Sequence, residues 1–128
     1  MKNKVSFDFD STLSKLIIQK YAKELIERGL EVWICTSRLE NKHAPNLNWN
    51  DDLFLVADAL KIDREKIIFT NNSKTQKEKS DFLNGKGFVW HLDDCWLDLS
   101  YIKTNSDLIG ISCFGNKNWK EDCEKLLK

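Results

Sequence analysis

One proline, five glycines and two histidines in 128 residues leave too little material for several structural classes. So little Pro and Gly excludes collagen-like and low-complexity chains. The two histidines, His43 and His91, and four widely spaced cysteines without a CxxC pair provide no zinc-ligand spacing. Cys35, Cys95, Cys113 and Cys123 therefore read as reduced thiols. Net charge is also lacking: twenty Lys plus Arg balance twenty Asp plus Glu, so no global field draws the chain to nucleic acid or anionic lipid. No apolar run approaches the roughly 20 residues that a membrane-spanning helix needs. Met1-Lys2-Asn3-Lys4 runs into a polar, acidic stretch and not into a signal-peptide core, so the reading is a cytoplasmic protein with no membrane partner.

What the chain does contain is core material. Hydrophobic residues make up 41%, with seven Phe and five Trp, enough for one domain over residues 1–128. Val5 to Phe9 alternates like a strand and meets the turn formers Asp10-Ser11-Thr12. Leu16, Ile17, Tyr21, Ala22, Leu25 and Ile26 then recur at helical spacing, with Ser14 as the expected N-cap and Gly29 as the stop. Leu30 to Cys35 reads as a second strand, closed by Thr36-Ser37-Arg38. After a polar loop over residues 39–50 comes a helix capped by Asp51 or Asp52. Ile67 to Thr70 is a third strand ending at Asn71-Asn72, followed by a Lys-rich helix to Gly85. Phe88 to Leu92 is a fourth strand ending in Asp93-Asp94, Cys95 to Ile102 a helix, and Leu108 to Phe114 a fifth strand. A closing helix carries Trp119, Cys123, Leu126 and Leu127, with Asn118 and Glu121 resembling a capping box.

Alternating strands and helices, with strands that are near-continuous apolar runs, predict an α/β fold: a Rossmann-like three-layer sandwich around a mainly parallel five-stranded sheet. Ligands in such sheets bind outside the strands' carboxyl ends. That is where the sequence puts its acids and hydroxyls: Asp8 and Asp10 after strand one, Thr36 after strand two, Asp93 and Asp94 after strand four. Acidic pairs from two strand ends meeting at one edge repel unless a hard cation with oxygen ligands neutralises them, and Mg2+ is the expected ion. Asp as nucleophile yields an acyl phosphate, and a second Asp two residues on can protonate the leaving alcohol.

Asp8-Phe9-Asp10-Ser11-Thr12, Val32-Trp33-Ile34-Cys35-Thr36, a lysine, and His91-Leu92-Asp93-Asp94 resemble the four ordered motifs of the haloacid dehalogenase superfamily, over about residues 5–100. The resemblance implies that Asp8 is the phosphate-accepting nucleophile and Asp10 the general acid/base. Thr36 then holds the transferring phosphoryl group. It also implies a Mg2+ held by Asp8, by the carbonyl of Asp10 and by Asp93 and Asp94. Lys79, fourteen positions before Asp93, is the expected motif lysine, ahead of Lys77 and Lys74. Asp10 is similar to the phosphatase branch and speaks against dehalogenase chemistry. Ser11 departs from the pattern, since many members carry Gly there.

Several residues have bland alternatives. Asp93-Asp94-Cys95 alone would be a helix cap, and two of the three lysines a solvated face. His91 reads as a satisfied core histidine, and Trp33 and Trp90 as core. Ser37, Arg38 and Trp49 are candidate substrate-binding residues, Arg38 as a partner for a second phosphate or a carboxylate. Neither stretch that could hold a cap domain is long, so the chain resembles capless members. The expected activity is a Mg2+-dependent phosphomonoesterase on a phosphorylated small molecule, a nucleotide or sugar phosphate. The alternatives are a phosphatase of nucleic-acid ends, using a basic groove of Lys42, Arg38 and Lys74, and a non-catalytic phospho-binding scaffold. A receiver-type module is disfavoured by motif order, since the acid pair of receivers follows the first strand.

Overall fold

The computed structural model describes residues 3–40, 48–70 and 78–127. Five strands, β1 (Lys4–Phe7), β2 (Glu31–Thr36), β3 (Ile67–Phe69), β4 (Phe88–Asp93) and β5 (Gly110–Ser112), form one sheet in the order β3-β2-β1-β4-β5. Every neighbouring pair is parallel. Among the described residues the α-helices are α1 (Leu16–Glu27), α2 (Asp51–Ala59), α3 (Lys79–Leu83), α4 (Trp96–Asn105) and α5 (Trp119–Lys125). The α/β, Rossmann-like expectation holds, and the sheet is wholly parallel.

Two buried clusters explain the three layers. Val5 and Phe7 of β1, Val32 and Ile34 of β2, and Trp90 and Leu92 of β4 pack with Ile18, Tyr21, Ala22 and Leu25 of α1, Leu53 and Ala57 of α2, and Cys123 of α5. Cys35, Phe88 and partly buried Trp33 instead join Leu83 of α3 and Ile102 of α4 in a second cluster. Along β2 alternate residues thus serve opposite layers, as the period of two requires, whereas on β4 Phe88 and Trp90, two residues apart, join different clusters across a register shift against β1. Trp90, fully buried, lies edge-on to Phe7 and stacked on Tyr21, and donates from Nε1 to the Cys123 carbonyl at 3.2 Å. All four cysteines are free, and buried Cys35 and Cys123 belong to different clusters.

The chain builds outward from β1 to β2 and β3, then returns to the other side of β1 for β4 and β5. The order of strands therefore reverses between β1 and β4, which places the ligand crevice of a parallel sheet at the carboxyl ends of these two strands. Between β1 and β2 stand only a turn and α1, and among the described residues between β2 and β3 only α2 and a 3-10 turn at Arg64–Lys66, so no large cap is present there. No helix of the described residues is long and apolar enough to cross a membrane.

Local details differ from the sequence reading. Phe9 leaves the first strand for a tight turn, Phe9–Leu13, and Ser14 does not cap α1: its hydroxyl accepts from the Ser11 amide at 3.1 Å inside that turn. Asn118 makes no side-chain cap bond to α5, and Asn116 organises that start by donating to Asp122 at 3.1 Å. The cap position of α2 falls to Asn50, which frees the Asp52 carboxylate for another partner. The fifth strand is shorter than its apolar run, Gly110–Ser112.

Candidate phosphate and metal site

Asp8 continues β1 by one bond, its amide donating to the Leu92 carbonyl at 2.9 Å, and so stands at the carboxyl end beside β4. The turn behind it closes when the Leu13 amide donates to the Asp8 carbonyl at 3.0 Å. Ser11 takes φ 58°, the left-handed region that glycine occupies without cost. The departure from Gly at this position is thus a backbone cost and leaves both acids in place.

Asp8, Asp93 and Asp94 each offer a carboxylate oxygen, and these oxygens lie within 4.8 Å of one another. Lys79, the first residue of α3, is buried among them. Its Nζ donates to Asp8 Oδ1 at 2.9 Å and Asp93 Oδ2 at 2.6 Å, and pairs with Asp98 Oδ2 at 3.0 Å. Lys74 and Lys77, the other lysine candidates, lie outside the described residues, as do Asn71 and Asn72.

Three carboxylates, Asp8, Asp93 and Asp98, surround the Lys79 ammonium, and Asp94 adds a fourth beside Asp8 and Asp93, so acids outnumber the cation at this site. Burial pushes the Asp8 carboxyl up to about 8, with the Asp93 charge adding to the shift and Lys79 opposing it. Burial also works against the ionised form of Asp93, but the hydrogen bond from His91 and the Lys79 charge prevail and hold Asp93 well below the usual carboxylate range. Lys79 moves the other way from what burial alone would do, above its ordinary value, because Asp8 and Asp93 favour the ammonium. An all-oxygen donor set with surplus charge is the chemistry of a hard divalent cation, so the residues fit one. Asp93, fully buried, accepts from Lys79, His91 and the Cys95 amide, whereas Asp94 is half-buried and accepts from Thr12 at 3.2 Å.

Asp10 stands apart from this cluster. Its carboxylate is 60% exposed and receives a two-pronged bond from Arg38, Nε to Oδ2 at 3.0 Å and Nη2 to Oδ1 at 2.6 Å. The same guanidinium holds Asp52 at 2.7 and 3.0 Å and the Trp49 carbonyl at 2.8 Å, and lies 4.9 Å above the Phe9 ring. All five N–H groups of Arg38 are thereby engaged within the chain. In place of the second phosphate or carboxylate of a substrate expected for Arg38, the guanidinium meets Asp10 and Asp52 of the chain itself. Thr36 ends β2, buried, its Oγ1 accepting from the Arg38 amide at 3.2 Å. Ser37 follows it in the bend after β2. Trp49 is 40% exposed and donates from Nε1 to the Leu39 carbonyl at 2.9 Å.

Three residues of this arrangement were not assigned a role from the sequence. Asp98 lies four residues after Asp94, one helical turn further on, a spacing that does carry the signal. Thr12 joins the β1 turn to Asp94, though its place in the first motif gave it no partner. His91 is a fully buried histidine, as expected of a core residue, but its partners are Ser6 Oγ at 3.0 Å and Asp93 Oδ2 at 2.8 Å. Compared with protein-family models, curated proteins and solved structures, the chain has no significant match.

Proposed function

We propose that the protein is a Mg2+-dependent phosphomonoesterase of the haloacid dehalogenase type, working through an aspartyl phosphate. The observation that carries this reading is the Lys79 ammonium seated between Asp8 and Asp93 at the point where strand order reverses. A cation-poised carboxylate at that crevice is where a parallel sheet does phosphoryl chemistry, and the ordered motifs of the sequence supply the remaining groups.

In the proposed reaction an Asp8 oxygen attacks phosphorus, the bond from phosphorus to the ester oxygen breaks, and the leaving alkoxide takes a proton from Asp10, which gives up one of its Arg38 bonds to carry it. Water then attacks the phosphorus of the acyl phosphate, Asp10 takes the water proton, and inorganic phosphate leaves with Asp8 restored. Asp8, Asp93 and Asp94, with the backbone carbonyl of Asp10, are the groups that would hold Mg2+, whose chemistry is to offset charge on the phosphoryl oxygens and on Asp8. Lys79 offsets the same charge from the protein side, and the Thr36 hydroxyl orients the phosphoryl group. Arg38 keeps Asp10 from turning into the acid cluster.

Phosphate release from a panel of phosphomonoesters and 3′- or 5′-phosphorylated oligonucleotides, with Mg2+ or EDTA, tests this. Turnover that needs Mg2+ and disappears in Asp8→Asn is the expected result. Equal inactivity of both proteins despite Mg2+ binding overturns catalysis and leaves the scaffold reading. The nucleic-acid-end reading has no independent support: Lys42 and Lys74 of its basic groove lie outside the described residues, and the N–H donors of Arg38 are spent.

A further inference from the structure

A cavity of about 500 Å3, lined by Arg38, Leu39 and Trp49, opens on the Asp10 side of the site, since Arg38 both lines it and grips Asp10 at 2.6 Å. The volume falls within the roughly 300–1,000 Å3 usual for small-molecule sites. The side-chain polar atoms of these three lining residues are already committed. The indole N–H of Trp49 is bonded to the Leu39 carbonyl, and every N–H of Arg38 goes to Asp10, Asp52 or the Trp49 carbonyl. Those side chains therefore offer an occupant the surface of an aromatic ring, an aliphatic chain and the plane of a guanidinium. Among the described residues, such a lining selects by stacking and apolar contact and offers no free side-chain N–H to a second phosphate or a polyol.

The position of the cavity decides what part of a substrate it meets. In the reaction proposed above Asp10 protonates the ester oxygen, so the leaving group lies on the Asp10 side. A guanidinium stands between the Asp10 carboxylate and the Trp49 backbone. With that guanidinium in between, a leaving group that carries its ring on a spacer of sugar size suits the placement better than one whose ring is bonded directly to the ester oxygen. We propose that this cavity is a leaving-group subsite that takes the base of a nucleoside monophosphate, with Trp49 as the stacking platform. The inference rests on the phosphomonoesterase reading for its orientation, while the binding itself can be measured without turnover.

The test compares kcat/KM for adenosine monophosphate, ribose 5-phosphate and 4-nitrophenyl phosphate in wild type, Trp49→Ala and Trp49→Phe. Ribose 5-phosphate carries the spacer without the base, and 4-nitrophenyl phosphate the ring without the spacer. Wild type is expected to prefer the nucleotide to ribose 5-phosphate by about tenfold or more, the order of one base–aromatic stack. Trp49→Ala collapses that ratio toward one through KM, while Trp49→Phe, which loses the N–H to Leu39 but keeps a ring, retains most of it. Equal use of the two sugar phosphates by wild type overturns the proposal, as does a ratio that survives Trp49→Ala. A Trp49 dependence as large for 4-nitrophenyl phosphate overturns the spacer argument. Calorimetric titration of adenosine monophosphate into Asp8→Asn, with and without Trp49→Ala, separates the two readings. If no phosphate is ever released yet binding depends on Trp49, the catalytic reading falls and the subsite stands. If there is no binding, the subsite falls.

Discussion

His91 donates from Nε2 to Asp93 Oδ2 at 2.8 Å, and the same carboxylate oxygen accepts from Lys79 at 2.6 Å. An ionised carboxylate is only an acceptor, so the proton of the neutral imidazole sits on Nε2, and Nδ1 must accept from the Ser6 hydroxyl at 3.0 Å. Burial keeps the ring neutral, pulling the His91 pKa down against the pull of Asp93. Ser6 and His91 thus form a buried chain that ends at the ammonium facing Asp8.

His91→Leu removes the donor to Asp93, whereas His91→Gln keeps an N–H of similar reach. The expected outcome is a loss of about 10- to 100-fold in Mg2+ affinity for His91→Leu, the scale found when a partner of a ligating group is removed, with partial recovery in His91→Gln. The Mg2+ dependence of the thermal midpoint reads this without any turnover.

Lys79→Met leaves Asp8 and Asp93 facing each other in a buried site with no cation of the protein between them. Breaking such a pair from one side costs about 3–5 kcal/mol, so urea unfolding in EDTA should show a loss of that size. Added Mg2+ should return part of it, because the ion replaces the missing positive charge. A loss that Mg2+ leaves untouched would place the metal elsewhere.

Arg38→Met keeps an unbranched chain but removes the guanidinium that lies over Phe9 and releases Asp10 and Asp52. The carboxylates it holds are well exposed, so stability should change by under about 1 kcal/mol. Phosphate release should fall by an order of magnitude or more, since the reach of Asp10 to the ester oxygen depends on its orientation. A fall in kcat with KM little changed identifies a positioning role.

Glu124 accepts from Tyr21 at 2.6 Å and from Arg28 at 3.0 Å, joining α5 to α1. Burial acts to raise its pKa, but these two partners outweigh it and hold the carboxyl below its ordinary 4.5. A depressed folded-state pKa contributes stability above the unfolded value, and that contribution is lost as pH falls through the folded value. Wild type should therefore exceed Glu124→Gln in thermal midpoint at pH 7, with the gap closing as pH falls below about 4.5.

The legible part of this protein was local. Apolar runs at Val32–Cys35 and Phe88–Leu92, the stop at Gly29 and the helical spacing of Leu16 to Ile26 are consequences of period and turn chemistry within a few residues of one another. They predicted five strands, the helices between them and acids at strand ends. Ser14 was misread as a cap because the tight turn at residues 9–13 takes its hydroxyl, whereas Asn118 does hold the cap position of α5 but makes no side-chain cap bond.

The site was legible as a set of residue types at one sheet edge, and this much the sequence determined by itself. Which side chains meet there was decided by the tertiary structure. A register shift between β1 and β4 pairs Ser6 with His91, so that His91 shares the layer of Ser6, while its reach to Asp93, two residues on in β4, follows from the strand's own period. The start of α3 delivers Lys79 to two strand ends, and α4 brings Asp98 to the same ammonium. Arg38, adjacent in sequence to the phosphate-holding candidates, is taken by Asp10 and Asp52, acids 28 and 14 positions away. Pattern in a sequence reports what each element buries, because burial follows from its own period. Pairing across elements depends on strand order and register, which no local spacing encodes.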